Sequence, residues 1–235
     1  MLDALGFLTV FGRSRPPTSR VVVWFGPVGA VIGAVLGLLW WGAANMWPAP
    51  VAGAIVVAAD LGITGLLHID GLADAADGLL PHLDRQRRLA VMATPDVGAF
   101  GVAVVAVTLL LRTTALASTD PQGWKAVAFL AAVWCASRTV MAVTTVTVAY
   151  ARETGLASPF LGGSLTATVV VAVGFVALAA GRGIGGGVAV AVGVAAGALV
   201  VVFARRRLGG FTGDVLGAAG VVTETVALVV MSARW

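Results

Sequence analysis

Three aspartates lie close together in a short polar segment of an otherwise apolar chain. Asp70, Asp74 and Asp77 follow one another at intervals of four and three residues, so a helix would place their carboxylates on one face. Like charges at this spacing repel, and near a membrane they need protonation, nearby arginines or a bound cation to neutralise them. An all-oxygen ligand set favours Mg²⁺ or Ca²⁺, and a sparse set completed by water and phosphate is typical of Mg²⁺. Residues 68–96 are therefore a candidate catalytic segment.

The residues around these aspartates also suit phosphate chemistry. The order H-x-D-G-x-x-D-x-x-D-G places glycine and alanine beside the carboxylates, which leaves room for a phosphate to approach the backbone. A solvated loop is the alternative, although such a loop would not normally interleave acids with small residues. His68 lies two residues before Asp70 and points elsewhere on a helix. His68 could be a metal ligand, a proton carrier, a hydrogen-bond donor to substrate or a structural histidine.

Ionisable residues also interrupt the apolar runs elsewhere. Asp60, Arg138 and Glu224 lie inside hydrophobic stretches, and an ionisable group at membrane depth is a functional candidate by default. Arg138 could instead pair with Asp60 or Glu224 inside a helical bundle. Asp214 is positioned to cap the last helix.

The composition indicates a membrane protein. Of 235 residues, 59% are hydrophobic and 11% are charged, and the mean hydropathy is +1.00, which excludes an ordinary water-soluble domain. The net charge of +4 reflects arginines in cytoplasmic loops better than a nucleic-acid surface, so we expect a lipid bilayer and no nucleic acid as partner. The single cysteine excludes an internal disulfide. We predict one membrane-embedded domain, residues 1–235.

Apolar runs of about 20 residues predict an all-α, polytopic helical bundle in the membrane. We expect seven transmembrane helices, with a range of six to eight. The predicted spans are residues 21–41, 51–67, 97–117, 127–149, 165–180, 184–204 and 215–231.

The basic residues predict the orientation of the bundle. When the spans alternate, one side carries Arg13, Arg15, Arg20, Arg85, Arg87, Arg88, Arg152, Arg205, Arg206 and Arg207. The other side carries Arg112, Lys125, Arg182 and Arg234. The positive-inside rule therefore places the N-terminus and residues 68–96 in the cytoplasm. Residues 1–20 are no standard signal peptide, because their basic residues follow the apolar stretch, and they fit an interfacial amphipathic arm.

Glycines recur every fourth residue in the first predicted span. Gly29, Gly33 and Gly37 form one stripe on a helix, which allows the backbone of another helix to approach closely. Packing inside the bundle is the favoured interpretation. Dimerisation through the stripe, which would make the protein a homo-oligomer, is the alternative.

Three blocks of the sequence resemble the cobalamin synthase family, also called adenosylcobinamide-GDP ribazoletransferase. They are DLGITGLLHIDGLADAADG (60–78), RLAVMATPDVGAFG (88–101) and LGGFTGDVLGAAGVVTE (208–224), in family order. The resemblance implies transfer of the cobinamide phosphate of adenosylcobinamide-GDP to α-ribazole or its 5′-phosphate, giving adenosylcobalamin or its 5′-phosphate and GMP. It also implies dependence on Mg²⁺ and a place in the bacterial inner membrane.

The resemblance also implies roles for individual residues. Asp70, Asp74 and Asp77 would hold Mg²⁺ on the diphosphate of the activated corrinoid. His68 or Asp96 would take the proton of the ribazole hydroxyl. The expected substrate-binding residues are Arg85, Arg88, Asp214 and Glu224, although the basic run could equally anchor the chain at the membrane surface.

Two other functions compete with this prediction. A CDP-alcohol phosphotransferase shares Asp74-x-x-Asp77-Gly78 with this chain, but Pro81-His82 replaces the Ala-Arg pair that should follow. An ion-coupled transporter could use Asp60, Arg138 and Glu224 as its midplane site, but the chain shows no inverted repeat.

Overall fold

The computed structural model describes residues 1–12, 18–155 and 157–233. Within them the chain forms ten α-helices and three short 3₁₀-helices, the latter at Ser19–Trp24, Ser158–Phe160 and Ala177–Arg182. The α-helices are α1 (Leu2–Leu8), α2 (Phe25–Ala44), α3 (Ala49–Thr64), α4 (Leu67–Leu79), α5 (Arg85–Val91), α6 (Ala99–Ala117), α7 (Trp124–Thr147), α8 (Leu165–Val176), α9 (Gly183–Leu208) and α10 (Gly213–Met231). The predicted all-α class is confirmed. Arg13, Arg15 and Arg234, which entered the predicted charge asymmetry, lie outside the described residues.

Five segments of the described chain are long and apolar enough to cross a membrane. They are Ser19–Ala44, which contains α2, and the helices α6, α7, α9 and α10. The helices α3 and α4 pass the same test only as a pair that is bent by 91°. The structure therefore has five or six candidate spans where we expected seven.

Two predicted spans account for this difference. The span predicted at 51–67 is interrupted after Thr64, because Gly65 and Leu66 both adopt positive φ, 59° and 63°, and left-handed residues end an α-helix. The span predicted at 165–180 contains only the 12 residues of α8 before the chain tightens into a 3₁₀-helix. A straight spanning α-helix needs about 20 residues.

The glycine stripe of α2 packs against α7. A Cβ on Gly33 would collide with the backbone of Leu130, and one on Gly37 would collide with that of Val127. This confirms that the stripe serves packing inside the bundle. Because α7 covers the stripe, it is not the surface for a dimer.

The helix termini lie at two opposite ends of the bundle. At one end, Arg85 donates hydrogen bonds to the carbonyl oxygens of Leu208 and Ala151, which ties α5 to the end of α9. At the other end, Arg182 donates to the carbonyl oxygen of Asp120 and lies over the ring of Trp40. The N-termini of α6 and α10 and the aspartates of α4 belong to the first end.

The N-terminal arm packs onto this same end. In α1, Ala4 and Leu8 are buried, whereas Leu2 is exposed, so one face of the helix packs against the bundle. The ring of Phe7 lies 5.9 Å from that of Phe25 and 4.5 Å from that of Phe160, centroid to centroid. These contacts hold the arm against α2 and the segment that follows α7.

Candidate functional site

The helices α4 and α10 cross with their backbones in contact. A Cβ added at Gly71 would lie 3.0 Å from the Cα of Asp214, and one added at Gly217 would lie 3.1 Å from the carbonyl oxygen of His68. Glycine lets two backbones approach this closely without displacing either helix. The crossing therefore brings the aspartates of α4 beside the first turn of α10.

Carboxylates gather at this crossing. Asp74 interacts electrostatically with Asp214, Asp70 and Asp77, and the positive charge of Arg152 opposes their repulsion. Arg152 Nη2 donates to Asp214 Oδ2 at 3.3 Å. In the described part of the chain, the carboxylates of Asp70 and Asp74 have no hydrogen-bond partner, so their oxygens are free to bind a ligand. The structure thus adds Asp214 to the predicted acidic face.

Asp77 caps the N-terminus of α6. Its Oδ2 accepts a hydrogen bond from the backbone N–H of Gly98 at 2.7 Å, and its Oδ1 accepts one from Gly101 at 3.0 Å. A Cβ at either glycine would collide with the carboxylate, so these small residues make the cap possible. An anion is favoured there because the first N–H groups of a helix lack partners. The fold therefore uses the Asp77 carboxylate, and its role as a metal ligand stays a prediction.

A cavity opens beside the crossing of α4 and α10. The cavity and its open mouth together contain about 630 Å³ of empty space. Charged and polar residues of the lining are His68, Asp70, Tyr150, Arg152 and Asp214, and larger apolar ones are Phe7, Leu67, Met141 and Leu216. His68 is 4% exposed, and neither of its ring nitrogens has a hydrogen-bond partner among the described residues. An unpaired buried imidazole is costly unless a ligand satisfies it, so His68 marks the cavity as a binding site.

The free carboxylates are a suitable donor set for Mg²⁺, although they do not form a complete metal cage. No group of three or more His, Cys, Asp or Glu side chains in the described residues is arranged to hold a metal ion by itself. Mg²⁺ usually binds through one or two carboxylates, with water and substrate phosphate completing its shell. Asp70 and Asp74, with Asp214 beside them, offer such a sparse set of oxygens.

The two arginines predicted to bind substrate donate hydrogen bonds to backbone carbonyl oxygens, and their binding of substrate stays a prediction. Arg85 donates to two carbonyl oxygens, at 2.7 and 2.9 Å. Arg88 is buried and donates to two carbonyl oxygens at the C-terminus of α4, at 2.8 and 2.9 Å. The last carbonyls of a helix lack partners within it, so Arg88 acts as a C-terminal cap. Asp96, a predicted proton acceptor, is exposed in the turn before α6 and is not part of the cavity lining.

Glu224 lies in a buried ion network in the middle of the bundle. Arg112 donates to Asp60 at 2.8 Å and to Glu224 at 3.2 Å, and Arg138 also pairs with Glu224. Trp134 donates a further hydrogen bond to Asp60 at 2.9 Å. Two cations thus balance two carboxylates, and the pairing of Arg138 inside the bundle is confirmed. The groups that a midplane transport site would need are engaged with one another, and Glu224 does not line the cavity.

Comparison with known proteins places the chain in a family. An adenosylcobinamide-GDP ribazoletransferase of Geotalea daltonii is 36% identical over 209 residues, covering 86% of this chain and 83% of the relative. Relatives of the same name from Chlorobium phaeovibrioides and Ralstonia nicotianae are 31% and 37% identical over 233 and 227 residues, covering 95% and 94% of this chain and 93% and 88% of their own lengths. The cobalamin-5-phosphate synthase family matches residues 1–232. This chain belongs to that family. No solved structure matches it.

The family match over residues 1–232 includes α4 and α10, the two helices that form the site of this cobalamin-5-phosphate synthase family member. The resemblance inferred from the three sequence blocks is therefore confirmed. Two of those blocks, 60–78 and 208–224, supply the two sides of the crossing between α4 and α10. The middle block supplies Gly98 and Gly101, which receive the cap from Asp77.

Among the residues that line the cavity of this family member, sequence analysis missed the larger or polar side chains of Phe7, Met141, Tyr150 and Arg152. Tyr150 is the only tyrosine in the chain, and Arg152 follows the α7 apolar run closely, so a polar pair after a span was an available signal. Burial raises the pKa of Tyr150, with Arg152 acting in the opposite direction, so its phenol stays protonated and can donate a hydrogen bond. Phe7 and Met141 carry no such signal, because each lies in an apolar stretch.

Proposed function

We propose that this chain transfers the cobinamide phosphate of adenosylcobinamide-GDP to α-ribazole or to α-ribazole 5′-phosphate. The products would be GMP and adenosylcobalamin or its 5′-phosphate. The names of the relatives and the family membership support this reaction. The structural observation that carries it is the cavity lined by the carboxylates of Asp70 and Asp214 together with the unpaired imidazole of His68.

The carboxylates would hold Mg²⁺ and, with it, the diphosphate of the donor. We assign this role to Asp70 and Asp74, with Asp214 beside them. When bound, Mg²⁺ offsets the negative charge on the transferred phosphoryl group and on the departing GMP. Arg152 lies next to these carboxylates, where its guanidinium can pair with phosphate oxygens.

His68 would accept the proton that the reaction releases. The ribose hydroxyl oxygen of the acceptor forms a bond to the phosphorus that carries cobinamide. The bond from that phosphorus to the bridging oxygen breaks, and its electron pair leaves with GMP. The hydroxyl proton passes to a ring nitrogen of His68, which is buried in the same cavity and has no partner in the described chain. The exposed position of Asp96 makes it the weaker of the two predicted bases.

The distribution of charge supports a cytoplasmic site in a bacterial inner membrane. In the described residues, the end of the bundle that holds the site carries Arg20, Arg85, Arg87, Arg88, Arg152, Arg205, Arg206 and Arg207. The opposite end carries Lys125 and Arg182. By the positive-inside rule the site would face the cytoplasm.

One assay tests the reaction and its metal requirement. Purified protein in lipid nanodiscs is mixed with adenosylcobinamide-GDP and α-ribazole, with Mg²⁺ or with a chelator, and GMP is followed by chromatography. We expect GMP and adenosylcobalamin in equal amounts only when both substrates and Mg²⁺ are present. Turnover that continues without any divalent ion would contradict the metal role, and the absence of GMP under all conditions would contradict the reaction. CDP-diacylglycerol as donor is the control for the CDP-alcohol alternative.

A further inference from the structure

The cavity at the α4–α10 crossing is charged at its exposed edge and, apart from the imidazole of His68, apolar on its buried side. Asp70, Arg152 and Asp214 all retain solvent exposure. Met141 and Leu216, on the buried side, are only 2% and 3% exposed. A ligand that matches this gradient has one apolar end and one end that carries hydroxyl or phosphate groups.

The apolar end is suited to a flat ring. Phe7 is held by its contacts with Phe25 and Phe160, so its ring is a fixed part of the wall. Aromatic side chains bind other rings by offset stacking or edge-to-face contact, and the thioether of Met141 makes favourable contacts with aromatic rings.

Resting on the proposed function, we propose that this cavity binds the base of the acceptor and that Phe7 and Met141 determine which base it accepts. Ribazole carries dimethylbenzimidazole, a flat and largely apolar ring that has no hydrogen-bond donor once it is joined to ribose. Its two methyl groups would contact Phe7 and Met141, and its ribose would lie between His68 and the charged edge.

The parts of the donor fit this space less well. Guanine has several donors and acceptors on its edge, and the apolar end would leave most of them unpaired at a cost. The corrin ring with its amide side chains is larger than the roughly 630 Å³ of empty space here, even when the open mouth is counted. The donor would therefore approach from the carboxylate edge and present its diphosphate there.

Two variants of the wall test this assignment against a matched control. Phe7→Ala and Met141→Ala shorten side chains that line the cavity, whereas Phe11→Ala shortens an exposed ring of the same N-terminal arm. In the full-length protein in nanodiscs, we expect the KM for α-ribazole to rise about tenfold or more in the first two variants. The KM for adenosylcobinamide-GDP should not change, and Phe11→Ala should behave as the wild type does. Because Phe7 also packs in the fold, Phe7→Leu serves as a milder variant with an intermediate expected effect.

Direct binding of labelled α-ribazole separates this inference from the proposed reaction. The wild type should lose more affinity than Met141→Ala when the two methyl groups of the base are removed. A rise in the KM for the donor instead, or α-ribazole binding that no wall variant alters, would overturn the assignment. If α-ribazole binds and Phe7→Ala weakens it about tenfold, but the wild type releases no GMP, the acceptor site stands and the reaction is wrong.

Discussion

Gly71 of α4 lies directly against the backbone of Asp214 in α10, since a Cβ at Gly71 would be 3.0 Å from both the Cα and the carbonyl oxygen of Asp214. A methyl group at this point forces the two helices apart by a few tenths of an ångström. We therefore expect Gly71→Ala to lower the rate of GMP release by about tenfold to a hundredfold, because small displacements of reacting groups are costly. Gly62→Ala is the control, because a Cβ there meets nothing within 4 Å. Equal rates in the two variants would show that the close crossing does not position the site.

The carboxylates at the α4–α10 crossing should affect the Mg²⁺ dependence of the reaction, whereas a carboxylate at the opposite end of the bundle should not. We expect Asp70→Asn, Asp74→Asn and Asp214→Asn to raise the Mg²⁺ concentration needed for half-maximal turnover by about tenfold or more, because each removes negative charge from the proposed metal site. Asp120→Asn, at the opposite end of the bundle, should leave the Mg²⁺ dependence unchanged. The measurement is a Mg²⁺ titration of GMP release. An unaltered titration curve in all three variants would show that these residues do not bind the metal.

The cap formed by Asp77 should contribute to the free energy of unfolding. Asp77→Ala leaves the N–H groups of Gly98 and Gly101 without their acceptor, so we expect a loss of about 1 to 2 kcal/mol. Asp84→Ala removes an exposed cap at α5 and should cost less, because water can replace the lost contact. Thermal unfolding in detergent compares the two. If Asp77→Ala melts at the wild-type temperature, the cap does not stabilise the fold.

The buried ion network should tolerate the loss of one partner poorly. Glu224→Gln leaves two buried arginines with one carboxylate between them, so we expect a loss of about 3 to 5 kcal/mol. Glu153→Gln, at an exposed position, is the matched control and should have no measurable effect. The measurement is chemical unfolding followed by tryptophan fluorescence, to which Trp134 of the network and the other six tryptophans contribute. Equal unfolding midpoints for the two variants would argue against a structural role for Glu224.

Two glycines of the same helix should respond in opposite ways to alanine. Gly33→Ala introduces a methyl group that would collide with the backbone of Leu130, whereas a Cβ at Gly42 meets nothing within 4 Å. Alanine is favoured over glycine in a helix by about 1 kcal/mol. We therefore expect Gly42→Ala to keep or raise the melting temperature and Gly33→Ala to lower it. A stable Gly33→Ala variant would mean that α2 and α7 can separate without cost.

The fold was largely predictable from sequence. A chain that crosses lipid satisfies its backbone hydrogen bonds by forming helices, and each spanning helix needs about 20 mostly apolar residues. The runs that became α2, α6, α7, α9 and α10 are visible in composition alone. The structure has five or six candidate spans, at or just below the lower end of the expected six to eight, because two segments depend on backbone conformation. The positive φ of Gly65 and Leu66, and the shortness of α8, are not evident from hydrophobicity.

The sequence by itself determined that a stripe of glycines would pack closely and that one segment would place aspartates on a helical face. Both follow from the helical period, which relates residues three and four apart. Tertiary structure alone decided that Asp214 joins these aspartates, that Asp77 is drawn into a cap, and that His68 lines a cavity with Phe7 and Met141. Those relationships arise where helices that are distant in sequence cross. The periodicity of one helix shows which of its own residues share a face, but it does not show which residues of another helix that face will contact.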